Sequence, residues 1–88
     1  MIVYRIFYER RVFKDLDKIP NIDVERIREV LKGLAGNPRP FGVEKLSGKE
    51  GLYRVKQGNY RIVYTISSAD KEIRIILIRH RRESYRNL

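Results

Sequence analysis

No cysteine occurs in the 88 residues, which excludes a disulfide framework, a thiolate metal site and a cysteine nucleophile. With only one histidine, His80, the usual Cys/His ligand set of a structural zinc site is missing too. Apolar runs are short. The stretch Ile75 to Ile78 is far below the roughly 20 residues needed to cross a bilayer. Met1 leads into alternating sequence and not into a basic region followed by an apolar one, so no signal peptide is read and a soluble, cytoplasmic protein is expected. No Gly-rich phosphate loop, Ser-His-Asp candidate, convergent carboxylate pair, repeat or low-complexity run is visible. Acidic residues are also scarce, eleven against twenty Lys and Arg, for a formal net charge of +9. The excess is local. Residues 1–37 hold eight basic and six acidic side chains, whereas residues 38–88 hold twelve and five. The second half is therefore the electrostatic surface, and nucleic acid or an acidic protein is the expected partner.

The apolar fraction, 42%, is ordinary for a globular chain, and the length fits one domain, residues 1–88, with a modest core. Ile2 to Tyr8 is apolar on both faces apart from Arg5, which predicts a strand central in its sheet. Val12, Phe13, Leu16 and Ile19 recur at helical spacing before Pro20. Asn21 is a candidate N-cap for a second helix, whose buried stripe is Ile27, Val30, Leu31 and Leu34 and whose end is Gly36 with Asn37-Pro38. Residues 37–51 read as a connection. Strands follow at about 52–57, 60–66 and 72–78, then a basic tail. The order β-α-α-β-β-β predicts an α+β domain, an antiparallel sheet with two N-terminal helices packed on one face.

The most informative segment is Gly51 to Tyr64, GLYRVKQGNYRIVY. Gly58-Asn59 suits a two-residue hairpin turn. That places Tyr53 opposite Tyr64, Arg54 opposite Val63, Val55 opposite Ile62 and Lys56 opposite Arg61. Alternation then puts Tyr53, Val55, Ile62 and Tyr64 on an apolar face, with Arg54, Lys56 and Arg61 on the other. Opposed like charges weaken a hairpin by roughly a few tenths to 1 kcal/mol, which suggests an anion at this place. A phosphate backbone is one such anion; a merely solvated basic face is the other reading, and parity leaves both open. The parity of the last strand is ambiguous, since Ile73, Ile75 and Leu77 alternate with Arg74, Ile76 and Ile78.

A second cluster, RHRRESYR over residues 79–86, combines Arg79, His80 and Arg81 with Tyr85, an aromatic that calls for a core pocket or a base to stack on. His80 is open to an acid–base role or a structural one. With Arg, Lys, Tyr and one His as the available chemistry, catalysis would suit a substrate that supplies its own nucleophile, such as RNA with its 2′-hydroxyl.

The run from Lys45, KLSGKEGLYRVKQGNYRIVYTI, followed by IRIILIRHRRESYR, resembles the RelE/ParE superfamily of toxin–antitoxin toxins, its RelE branch in particular, and the match covers almost the whole chain. The resemblance implies a ribosome-dependent endoribonuclease that cuts mRNA in the A site by attack of the 2′-hydroxyl on the adjacent phosphate. It also implies rRNA contacts, a cognate RelB-like antitoxin and no cofactor, metal or membrane partner. Alignment through the hairpin gives Lys56, Arg61, Arg81 and Tyr85 as catalytic candidates, with Arg79 possible in place of Arg81. Arg54, Arg79, His80 and Lys45 become candidate RNA- and phosphate-binding residues. Arg54 stands where the family pattern has a lysine, keeping charge but losing a proton shuttle. The alternatives are a ParE-like gyrase poison that is no nuclease, and a catalytically degenerate homologue that still binds antitoxin.

Overall fold

The computed structural model describes residues 3–46 and 51–83. Seven elements follow in order: β1 (Arg5–Tyr8), α1 (Arg10–Asp17), α2 (Asn21–Gly36), β2 (Glu44–Lys45), β3 (Leu52–Gln57), β4 (Tyr60–Ser67) and β5 (Glu72–His80). The strands form one sheet in the order β1-β5-β4-β3-β2. The expected α+β architecture is present, with the helices on one face.

The hairpin forms in the register that the alternation predicts, from Leu52 opposite Thr65 to Gln57 opposite Tyr60. Gly58 takes a positive φ of 58° and Asn59 does not, the pattern of a turn with glycine at its first central position. Val55, Ile62 and Tyr64 pack with Ile73, Ile75 and Ile78 beneath Val12, Ile19, Ile27, Leu31 and Leu34 of the helical layer. The Tyr64 hydroxyl donates to the Pro38 carbonyl at 2.7 Å and ties the 37–43 connection to the sheet.

Several expectations need correction. β1 is an edge strand, not a central one, and it runs parallel to β5 where the rest of the sheet is antiparallel. Both helices intervene between β1 and β5, enough chain for the crossover that parallel pairing needs. The two-sided apolar character of the first strand has another cause. Ile6 packs toward the core, while Phe7 lies against the Arg5 and Arg74 guanidinium groups at 6.0 and 5.5 Å. Pro20, not Asn21, precedes the first turn of α2, and no side chain caps it; the Pro20 carbonyl accepts from Asp23 and Val24. Phe13 is exposed and Leu16 half-buried, because α1 turns them to a groove shared with Tyr8, Val24, Ile27 and Leu31. Within the expected connection, Glu44-Lys45 pairs with Arg54-Tyr53 as a short outer strand.

The ambiguous parity of β5 is explained by a bulge. Val63 faces Leu77 but the next residue, Tyr64, faces Ile75, leaving Ile76 as an extra residue. Ile73 and Ile75 therefore point at the helices. After the slip Ile78 does so as well, while Leu77 joins Val63 and Leu52 in a second apolar cluster on the opposite face.

Candidate nucleic-acid interface

On the face opposite the helices, cations gather across the central strands. Lys56 of β3 faces Arg61 of β4, which faces Arg79 of β5, so three cations cross the sheet in one row. The next row on that face is Glu44, Arg54, Val63 and Leu77. Val63 and Leu77 are almost fully buried, giving the cations a rigid apolar floor. The Ile76 bulge matters here, because it shifts the phase of β5 and brings Arg79 onto this face.

Each cation is held differently. An Arg61 Nη donates to the carbonyls of Gly58 and Tyr60, at 3.2 and 3.0 Å, which folds its guanidinium back over the hairpin turn. Arg54 donates to a Glu44 oxygen at 2.8 Å, and the Lys56 ammonium lies 3.7 Å from the same oxygen. The hydrogen bond from Arg54, and then the Arg54 charge, hold the Glu44 carboxyl below the usual carboxylate range. Arg79 pairs with Glu83 at 3.2 Å, and its buried Nε finds no hydrogen-bond partner among the described residues. Glu83 also accepts the His80 backbone N–H at 3.0 Å. That bond comes first, ahead of the Arg79 contact, in pulling the Glu83 pKa down.

The remaining candidates lie elsewhere. Arg81 follows the end of β5, exposed, with its backbone N–H bonded to the Asn59 carbonyl at 2.7 Å, so it stands beside the hairpin turn at the end of the cationic row. His80 faces Tyr60 across the sheet and points to the helix side, its ring edge-on to the tyrosine with centroids 5.4 Å apart. There it lines a polar pocket with Asp15, Lys18 and Glu83. Lys45 pairs with Tyr53, so it too belongs to the helix-side parity, at the outer strand. Tyr85 lies outside the described residues. Of the eight candidates, Arg54, Lys56, Arg61 and Arg79 share one face, with Arg81 at its rim. Glu44 was missed, because a strand of two residues shows no alternation to read.

Residues 6–85 match the family described as the ParE toxin of the parDE type II toxin–antitoxin system. The chain belongs to that family. It is a RelE-like type II toxin, and its relatives agree with the fold. A chain of the archaeal RelE–RelB complex from Pyrococcus horikoshii is 32% identical and superposes with a TM-score of 0.82, covering 93% of this chain and 99% of that one. The toxin RelE of Mycobacterium tuberculosis is 31% identical over 84 residues, 94% of this chain and 87% of its own length. The isolated E. coli RelE toxin, 23% identical with a TM-score of 0.78 over 93% of this chain and 88% of its own, shares the fold.

Proposed function

We propose that this RelE-like toxin is a ribosome-dependent mRNA endonuclease that acts in the cytoplasm and inhibits translation by cutting in the A site. The 2′-hydroxyl of the substrate attacks the adjacent phosphate, its proton passes to a base, and the 5′-oxygen leaves with a proton, giving a cyclic phosphate and a free 5′-hydroxyl. The observation that carries this reading is the row Lys56–Arg61–Arg79 on the face away from the helices. A phosphorane gains negative charge as it forms, and fixed cations stabilise that charge more than they stabilise the ground state. Arg61 and Arg79 contact the scissile phosphate, with Arg81 at the rim. Lys56 and Arg54 add charge, and Lys56 is the member that can exchange a proton. Tyr85 stacks on or orients a base, or serves as general base. His80 and Lys45, on the other parity, make outer contacts to RNA.

A RelB-like antitoxin is the proposed partner, with mRNA in the ribosomal A site and rRNA as the nucleic-acid ligands. The description of the matched family favours a second reading, a ParE-like toxin that poisons gyrase without cleaving RNA. Programmed ribosomes separate the two. Wild-type protein should cut mRNA in the A site, and Lys56→Ala and Arg61→Ala should each lose roughly 10²–10³ in rate while remaining folded. Absence of cleavage with gyrase inhibition would establish the second reading instead.

A further inference from the structure

On the face opposite the helices, Glu44 places a carboxylate oxygen 2.8 Å from an Arg54 nitrogen and 3.7 Å from the Lys56 ammonium. An oxygen so placed makes the charge-assisted contacts that a phosphate oxygen would make there. We propose that Glu44 is a built-in competitor of RNA phosphate: its carboxylate occupies the Arg54–Lys56 seat in the free protein and gives it up when RNA binds. This rests on the reading of the face as an RNA surface.

Three observations favour displacement over a fixed brace. Glu44 belongs to a two-residue outer strand with a single neighbour, β3. Its side chain is 47% exposed, so it can turn into water without stranding a buried charge. The Lys56 contact is long and the lysine is exposed, and exposed pairs of this kind hold weakly. Arg54, more enclosed than Glu44, stays in place to receive the incoming phosphate. Exchanging an internal anion for an external one damps affinity. It also removes about one charge from the salt dependence that the cations would otherwise give.

Binding of a short labelled oligouridine, measured by anisotropy at several KCl concentrations, tests this. Glu44→Gln keeps the size of the side chain and removes the charge. It should bind roughly threefold to tenfold tighter at low salt, and the slope of log K against log salt should steepen by about 0.7, the value for one more single-strand phosphate. Glu44→Asp keeps the charge and should retain the wild-type slope. Unchanged or weaker binding by Glu44→Gln, or an unaltered slope, overturns the proposal. Lys56→Ala is measured beside them. If it binds as tightly as wild type, the face is not the RNA surface and both readings fall; if it binds more weakly while Glu44→Gln does not tighten, only the role of Glu44 falls.

Discussion

Tyr64 sits one position after the bulge and is buried against the helices, with its hydroxyl committed to the Pro38 carbonyl. Burial pushes its phenol up to about 12. The neutral form is thus the one the fold favours. Its contribution is complete below the ordinary pKa near 10 and is lost as pH rises from there toward 12. In urea melts between about pH 9 and 11.5, the wild type should lose about 2 kcal/mol more than Tyr64→Phe, which cannot titrate. Equal losses would show that the phenol ionises freely. At Tyr85 the question is chemical. If the Tyr85 hydroxyl takes part in the reaction, Tyr85→Phe should fold normally and cleave slowly. If the ring only stacks on a base, Tyr85→Phe should stay active and Tyr85→Ala should lose about 1–3 kcal/mol of binding. A melt of Tyr85→Ala several degrees below wild type, beside a fully active Tyr85→Phe, would make the residue structural.

Among the elements, β5 has the most complicated surroundings. Its edge is covered by β1 only as far as Ile75, which pairs with Tyr8. Beyond that point α1 takes over, and Asp15 accepts the Ile78 N–H at 3.0 Å. Asp15→Ala should therefore cost about 1–3 kcal/mol in chemical denaturation, and Asp15→Asn, which keeps an acceptor, should recover most of it. This dependence explains how far the fold could be read from the chain. The β3–β4 hairpin was legible residue by residue, because strict alternation and one glycine fix its register. The helix faces were legible at Ile27, Leu31 and Leu34. They were not at Phe13, where apolar spacing continues onto a groove that nothing in the sequence distinguishes from core. The phase of β5 was hidden, since one extra residue at Ile76 inverts the pattern beyond it. The place of β1 was hidden because parallel pairing joins segments some 67 positions apart. The same limits held at the candidate site. Arg54, Lys56 and Arg61 followed from hairpin parity, whereas the bulge decides the face of Arg79 and the opposite face of His80.

For the whole molecule, the charge of +9 on so small a domain makes an acidic partner favourable at long range. Association with a RelB-like antitoxin carrying an acidic segment should be fast and should slow as salt rises through the physiological range; a salt-independent on-rate in stopped flow would instead point to apolar docking. The strand order carries a further consequence, for biosynthesis. β5 lies between β1 and β4 in the sheet, yet it is translated after every other strand described. Until it leaves the ribosome, β1 has no strand to pair with and the buried Tyr64 lacks its neighbour Ile75. Arg61 likewise has no Arg79 beside it. A nascent chain can close the β3–β4 hairpin early, because that contact is local, but the sheet and the cationic row form only once β5 has emerged. The proposed action on ribosomes would thereby wait on a fold that stays incomplete until β5 has cleared the ribosome that makes it.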